Sequence, residues 1–486
     1  MNVLRLYNSQ SKAKEEFRPL NGNNVRMYAC GLTVYNSPHL GNARAFVVPD
    51  ILRRWLEFRG YNVRFVTNFT DIDDKIIRRA AEEKTDWRDI TTQYIAEYHR
   101  MALALNVKPA DAYPRATDNI EEMIELIERL FARGHAYVSS DGDVYFHSPS
   151  FSGYGALSGR KAEEEEEGAG LSGRLTEKRQ AAKKHSCDFV LWKSAKPGEP
   201  SWPAPWGAGR PGWHIECSAM ARRWLGLPFD IHCGGADLLF PHHEDEKAQS
   251  ECAYADELQG RESVRFWVHN GFLTIGQEDD KMSKSQGNMK YVRELIHPDG
   301  PFEPAVLRMF LLSAHYRSPL RFEMRLLEEA KARLERIRDF VTGLESRKVP
   351  STTPPPTVVQ EAEKEFDEAM DDDLNTAMAL AALFKLGNTL VAPGTLSCSP
   401  EDAGHAYNFV EKRLRALGLD IRRTETAANQ AAKIPQELLD LLGESRQKLR
   451  SHKDFQFADH IRNELVKLNC EVKDLGGGKC EVKQKS

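Results

Sequence analysis

Residues 25–69 write a strand, a tight turn, a helix and a second strand in immediate succession, and that order leaves few folds open. Residues 25–35 (VRMYACGLTVY) are rich in β-branched and apolar side chains and run into a Pro- and Gly-bearing turn. Residues 43–59 carry the apolar spacing of an amphipathic helix, and residues 61–69 (YNVRFVTNF) read as strand again. A βαβ unit of this kind predicts an α/β fold with a Rossmann-type parallel sheet, helices on its faces and a ligand crevice at the carboxyl ends of its strands.

The chain has 486 residues, too many for one core, and about three domains are expected from length. Hydrophobic residues at 41% and charged residues at 29% describe an ordinary globular protein, and a net charge of -5 excludes nucleic-acid binding by bulk electrostatics alone. Any such contact must be local. Cys30, Cys187, Cys217, Cys233, Cys252, Cys398, Cys470 and Cys480 follow no framework spacing, which fits reduced thiols better than disulfides. The first residues, Met1-Asn2-Val3-Leu4-Arg5-Leu6-Tyr7, lack a signal-peptide core, and no run has transmembrane length. A cytoplasmic protein with no membrane contact is expected.

Residues 136–192 are aromatic, Gly-rich and short-stranded, and read as an insertion; the acidic run 163–167 within it reads as a solvated loop. Strand-like pieces return at residues 229–232 and 266–273, where the second half of the same sheet is expected. Beyond residue 320 long helical patterns take over, interrupted by the Pro/Thr stretch 349–358 (VPSTTPPPTV), and breaks at 392–404 and 421–435 set off a small C-terminal module. There are no internal repeats.

Two short polar segments carry the first candidate site. In Pro38-His39-Leu40-Gly41-Asn42-Ala43-Arg44, at the turn between first strand and helix, Gly41 would let backbone approach a phosphate. His39 would add a donor beside a helix N-terminus whose dipole favours anions. The same residues also suit a plain helix cap. Far downstream, Lys281-Met282-Ser283-Lys284-Ser285 and Gln286-Gly287-Asn288 set two ammonium groups three positions apart in a Gly-bearing loop. That loop could close over a triphosphate or be a solvated turn. A third segment, Phe240-Pro241-His242-His243-Glu244-Asp245-Glu246, spaces His242 and Glu246 so that a helix would present imidazole and carboxylate on one face, as a metal site requires or as ordinary capping and charge pairing would also produce.

The first two segments together resemble the "HIGH" and "KMSKS" motifs of the class I aminoacyl-tRNA synthetases, with Leu40 for Ile and Asn42 for the final His. Residues 27–35 (MYACGLTVY), 67–76 (TNFTDIDDKI), 210–220 (RPGWHIECSAM), 230–246 and His269-Asn270-Gly271 are similar to the cysteinyl-tRNA synthetase family, and the likeness extends over nearly the entire chain. It implies a catalytic domain split by a connective-peptide insertion, followed by a helical domain and an anticodon-recognition module. The expected bounds are 1–114, 115–198, 199–325, 326–425 and 431–486.

The resemblance further implies that Cys30, Cys217, His242 and Glu246 hold one Zn²⁺ per subunit, a borderline-soft site that would take a substrate thiolate in preference to a hydroxyl. Thr70, Trp213 and His232 would line the cysteine pocket. His39, Gly41, Asp237 and Lys284 would bind ATP, entering with Mg²⁺. His39, Asn42, Lys281 and Lys284 would serve catalysis, with Lys284 on the transition state. Arg450, Phe455, Asp459 and Asp474 would read tRNA(Cys), with Phe455 where an aromatic Trp is common. Cys233 departs from the family by replacing the first glycine of a His-Gly-Gly-Gly run, and residues 476–481 lack the family's closing Trp. The acidic residues of Ala369-Met370-Asp371-Asp372-Asp373-Leu374-Asn375 read as a helix N-terminal turn complementing the dipole. The implied activity is ATP-dependent ligation of cysteine to tRNA by a monomer. An amino-sugar-directed cysteine ligase or an inactive tRNA-binding scaffold would be the alternatives.

Overall fold

The computed structural model describes residues 3–160, 182–275, 280–281, 290–350, 352–392 and 395–422, with further residues between 439 and 484. The chain divides into two compact units, Met1–Ile421 and Arg422–Ser486.

An N-terminal hairpin, β1 (Arg5–Asn8) and β2 (Ala13–Glu16), precedes the expected βαβ unit. That unit comprises β3 (Asn24–Thr33), α1 (Leu40–Phe58) and β4 (Asn62–Thr70), with β3 and β4 paired in parallel. Helix α1 buries Leu40, Val47, Ile51, Leu52, Trp55 and Leu56. At ~1.5–3 kcal/mol for each fully buried side chain, this stripe holds the helix despite Pro49 in its interior.

After α2 (Asp74–Glu83), α3 (Trp87–Ala104) and α4 (Ile120–Ala132) the chain leaves the parallel sheet. It builds a separate antiparallel sheet from β5 (Ala136–Val138), β6 (Val144–Phe146), β7 (Phe189–Ser194) and β8 (Gly209–Pro211), in that order. Phe146, Phe189, Leu191 and Trp192 give this inserted sheet an apolar cluster shared with α4. The acidic run 163–167 lies outside the described residues.

α5 (Trp213–Leu225), β9 (Phe229–Gly235), α6 (Glu244–Ala253) and β10 (Val264–Asn270) complete the central sheet. Its order is β10-β9-β3-β4, and every pairing is parallel. From β3 the chain continues to β4 on one side, and from β9 to β10 on the other. Adjacent strands whose connections diverge open a crevice at their carboxyl ends, which is where open α/β sheets bind ligands.

The sequence pattern runs 266–273 as one strand, but β10 ends at Asn270 and β11 (Leu273–Ile275) joins a second sheet with β12 (Asp280–Lys281) and β13 (Leu320–Phe322). The break falls at Gly271, where a Cβ would stand 2.5 and 2.6 Å from the carbonyl oxygens of Arg317 and Ser318. Only glycine permits that approach.

Helices α7 (Pro304–Leu312), α8 (Met324–Arg347), α9 (Thr357–Asp371), α10 (Thr376–Leu390) and α11 (Pro400–Ala416) supply the helical region. The Pro/Thr stretch separates α8 from α9 as expected. The Asp triplet does not start a helix: Asp371 closes α9, and Asn375 caps α10. Carboxylates at a helix C-terminus oppose the dipole, and each of these three is matched by a donor from the N-terminal half. Asp371 accepts from Trp55 Nε1 (3.0 Å), Asp372 pairs with Lys14 Nζ (2.8 Å), and Asp373 accepts from Tyr7 N (2.8 Å), Tyr316 Oη (2.7 Å) and Arg317 Nε (2.6 Å). The triplet is a joint.

Within Arg422–Ser486, residues Cys470–Leu475 and Lys479–Gln484 form an antiparallel hairpin, and Leu439, Leu465, Cys470 and Val482 are buried together. No described helix is long and apolar enough to cross a membrane.

Candidate functional site

At the crevice, His39 is the N-cap of α1, and with Asn42 it closes a reciprocal box. The Asn42 backbone N–H donates to His39 Nδ1 (3.2 Å), and the His39 N–H donates to Asn42 Oδ1 (3.0 Å). Asn42 thus has a structural task that the sequence did not reveal, satisfying a donor that the helix start leaves open. Gly41 lies in the first turn of α1. Lys281 lies in β12, its backbone opposite Thr274. Met282, Ser283, Lys284 and Ser285 lie outside the described residues. Past them, Leu40 N donates to Lys290 O (2.9 Å), Val292 N to Pro38 O (3.0 Å) and Asn36 Nδ2 to Tyr291 Oη (3.0 Å). The chain leaving the Lys-rich motif is therefore bonded to the His39 turn. Asp237 is exposed just beyond β9, and a Cβ on Gly235 would stand 2.4 Å from its Oδ1.

Deeper in the crevice, four donors come together from three parts of the chain. Cys30 sits where the pairing of β3 with β4 slips between Ala29 and Leu32, a bulge that re-aims side chains. The neighbouring Gly31 donates its N–H to Asn68 Oδ1 (2.8 Å), and a Cβ there would lie 1.6 Å from Asn68 O. Only glycine permits this approach. Cys217 comes from α5, His242 from the turn entering α6 and Glu246 from α6 itself. Cys30 Sγ is 3.6 Å from Cys217 Sγ and 3.2 Å from Glu246 Oε1, and His242 Nε2 is 2.9 Å from the same Oε1. All four ligand atoms lie within 4.8 Å of one another.

This donor set fits a tetrahedral metal of intermediate softness. With bonds of about 2.3 Å to sulfur and about 2.0 Å to nitrogen or oxygen, Zn²⁺ would need S···S, S···O and N···O edges of about 3.8, 3.5 and 3.3 Å. The observed edges are each a few tenths of an ångström shorter, as donors already drawn together by hydrogen bonds would be.

The electrostatics are correspondingly polarised. The hydrogen bond from Cys30 holds the Cys217 thiol down at about 6 against the burial that opposes its ionisation. Burial, and then Cys217 itself, pushes the Cys30 thiol well above its ordinary value. Burial also disfavours charge on Glu246, yet His232 and His242 hold its carboxyl far below the usual range. Burial opposes protonation of His242, but Glu246 carries it up to about 10.

Of the other expected pocket residues, His232 and Trp213 contact this cluster, and Thr70 contacts Glu216, the neighbour of Cys217. His232 Nε2 is 2.8 Å from Glu246 Oε2 and 4.0 Å from Cys30 Sγ. Trp213 stacks on the His242 ring at 4.3 Å. Thr70 Oγ1 donates to the buried Glu216 carboxylate (2.6 Å), whose own pKa burial drives well up. Sequence reasoning missed Glu216, Asn68, His214, His243 and His269. His243 Nε2 lies 3.3 Å from Cys30 Sγ and its Nδ1 2.7 Å from His269 Nε2, so Cys30, His232, His243 and Glu246 form a second convergent set. The adjacent His242-His243 pair was the available signal, but sequence could not say that both rings turn inward.

Cys233 points away from this site. It alternates with His232 along β9 and packs among Met27, Ile231, Phe266 and Val268. The close approaches expected of the glycine run occur at the next two positions, where a Cβ on Gly234 would meet His243 Cε1 at 2.5 Å and one on Gly235 would meet Asp237.

In the second unit Arg450 faces Asp459 (3.9 Å), and Asp474 accepts from Gln447 Nε2 (2.9 Å) and from Arg446. Phe455 lies outside the described residues.

The family model for the class I (C) tRNA synthetase catalytic domain matches residues 16–332, and that for the DALR domain matches residues 365–445. The chain is similar to the cysteine–tRNA ligase of Carboxydothermus hydrogenoformans, with 46% identity over 98% of this chain and 99% of that one. It is 43% identical to that of Thermococcus gammatolerans over 98% of each. Among solved structures, Mycobacterium tuberculosis methionyl-tRNA synthetase in complex with methionyl-adenylate shares the fold with a TM-score of 0.57 at 17% identity, over 87% of this chain and 94% of that one. With a split parallel sheet, a His39 turn bonded to residues 290–292 downstream of the Lys-rich motif and relatives matched over almost their whole length, the chain belongs to the cysteine–tRNA ligase family of class I aminoacyl-tRNA synthetases.

Proposed function

We propose that Cys30, Cys217, His242 and Glu246 hold one Zn²⁺ per subunit and that cysteine is selected there, in the ATP-dependent ligation of cysteine to tRNA. The observation that carries this reading is the convergence of two thiols, an imidazole and a carboxylate from β3, α5 and the start of α6. A bound Zn²⁺ would supply a borderline-soft Lewis acid that favours a thiolate over the harder hydroxyl of serine.

The residues around it have distinct tasks. Trp213, stacked on His242, limits the depth of the pocket, while Thr70 and His232 orient the amino acid. The carboxylate of cysteine attacks the α-phosphorus of ATP, which enters with Mg²⁺. His39 and the amides at the start of α1 receive the phosphates, Asp237 takes the ribose, and Lys281 and Lys284 stabilise the charge that passes to pyrophosphate. The terminal ribose hydroxyl of tRNA then attacks the adenylate carbonyl, and AMP leaves. No protein nucleophile is needed. Arg450, Phe455, Asp459 and Asp474 are proposed to contact tRNA(Cys). The enzyme is taken to work as a cytoplasmic monomer, with domains bounded at 1–114, 115–198, 199–325, 326–425 and 431–486.

The test is ATP–pyrophosphate exchange with cysteine and with serine, followed by charging of tRNA(Cys). Exchange with cysteine alone and charging are expected. Equal exchange with serine would refute selection by the metal, and exchange without charging would favour another acceptor such as an amino-sugar.

A further inference from the structure

A line of close polar contacts leaves the donor cluster through His242 and ends in the inserted segment. His242 turns Nε2 toward Glu246, and its Nδ1 lies 2.9 Å from Nδ1 of His214. His214 Nε2 lies 3.4 Å from Asp245 Oδ2, a polar contact rather than a hydrogen bond, and Asp245 Oδ1 accepts from Tyr154 Oη at 2.6 Å. Asp245 and His242 are almost wholly buried.

Only one order of protons serves this line once Nε2 of His242 is committed to a metal. Its Nδ1 must then carry the hydrogen and donate to His214 Nδ1, which leaves the hydrogen of His214 on Nε2, facing the Asp245 carboxylate. Asp245 also accepts from Tyr154, so the carboxylate that faces the His214 ring is held by a residue of the insertion.

The same loop grips the adjoining residue. Glu244 accepts backbone N–H groups from Gly155 (2.9 Å) and Ser158 (2.8 Å). Gly155 has φ +89, and a Cβ there would stand 2.1 Å from Arg160 O, so the loop keeps this shape only with glycine. Glu244 and Asp245 lie between the candidate ligands His242, in the turn before α6, and Glu246, in its first turn. By binding both, the loop sets how the first turn of that helix is rotated about its axis.

We infer that Tyr154 is a positioning residue for the metal centre, acting on His242 through Asp245 and His214 and so tying the inserted segment to the amino-acid site. This rests on the metal assignment proposed above. Loss of an outer partner of a metal-bound histidine typically weakens binding roughly 10–100-fold.

Tyr154→Phe removes only the hydroxyl, and Asp245→Asn weakens the next link. For the full chain, Zn²⁺ affinity is measured by competition with a chromophoric chelator, alongside the unfolding midpoint of the metal-stripped protein. Tyr154→Phe is expected to weaken Zn²⁺ about tenfold or more with an unchanged midpoint, and the double variant to lose no more than the worse single one, as links of one chain do. Affinity within twofold of the parent in Tyr154→Phe would overturn the inference, as would additive losses, which would mean that Tyr154 acts only by packing the loop. A parent that catalyses cysteine-dependent exchange without taking up Zn²⁺ would remove the metal assignment and this inference with it.

Discussion

Cys30 and Cys217, 187 positions apart in the chain, bring their sulfur atoms to 3.6 Å, with Cys30 donating to Cys217. One thiol comes from a bulged strand and the other from the helix that follows the insertion, so their meeting depends on the whole split domain being assembled. Removing either thiol leaves three donors for a metal that needs four. Cys217→Ala is expected to lose bound zinc and to lower cysteine-dependent exchange by at least about a hundredfold, equivalent to roughly 2.7 kcal/mol or more. ATP binding, measured by quenching with a fluorescent analogue, should remain within twofold. Full exchange activity in a zinc-free Cys217→Ala protein would sink the assignment.

Protons should leave when the metal enters. In the metal-free protein near neutral pH, Cys217, at about 6, and Glu246 are already ionised, Cys30 is a thiol, and His242, at about 10, is an imidazolium. A tetrahedral zinc needs two thiolates, a neutral imidazole and a carboxylate, so Cys30 and His242 each give up a proton. Because the free site binds more protons than the loaded one, affinity rises with pH, by about a hundredfold per unit for two protons. Below about 6 a third proton, on Cys217, adds to the competition. Calorimetric titration of the stripped protein with Zn²⁺ in buffers of different ionisation enthalpy should report about two protons released at pH 7.5; a value near zero contradicts the charge pattern.

Asn42, where the family motif has histidine, can be given separate tests for its two tasks. Its Oδ1 accepts the His39 N–H at 3.0 Å, a cap of the kind worth about 1 kcal/mol. Asn42→Asp keeps an acceptor but sets a negative charge beside the expected triphosphate; Asn42→Ala loses the cap. Stability near that of the parent with a KM for ATP raised several-fold is expected for Asn42→Asp, and a loss of about 1 kcal/mol for Asn42→Ala. An unchanged KM in Asn42→Asp would mean that this position faces away from the nucleotide.

The βαβ start was legible because its strand and helix patterns are local, and the insertion because its aromatic, Gly-rich composition sets it apart. What sequence could not give was set by non-local approach. Just past the end of β10, the backbone of residues 317–318 comes to within 2.6 Å of where a Cβ on Gly271 would be, an approach that sequence periodicity does not reveal. Asp371 closes a helix although acidic residues favour helix starts, because Trp55 and Arg59 meet it from another part of the chain. In the candidate site, the spacing of His242 and Glu246 was readable. The convergence of Cys30 with Cys217 came from family likeness, and the contacts of Asn68, His214, Asp245 and Tyr154 were invisible because their partners lie far away in sequence.

Cys233 tests how far a family departure reaches the site. Its side chain packs on the face of β9 opposite His232, and burial pushes its thiol far up, leaving it inert as a ligand. Glycine at this position would empty a small volume among Met27, Phe266 and Val268 and loosen the strand, costing about 1–2 kcal/mol. Cys233→Gly is therefore expected to lower the unfolding midpoint while leaving zinc content and the KM for cysteine as in the parent. Were the KM for cysteine to move more than about fivefold at unchanged zinc content, with a shift near 1 kcal/mol, the thiol would be shaping the pocket through β9. His232 and Gly234, its immediate neighbours, would carry such an effect, since His232 reaches Glu246 and a Cβ on Gly234 would strike His243.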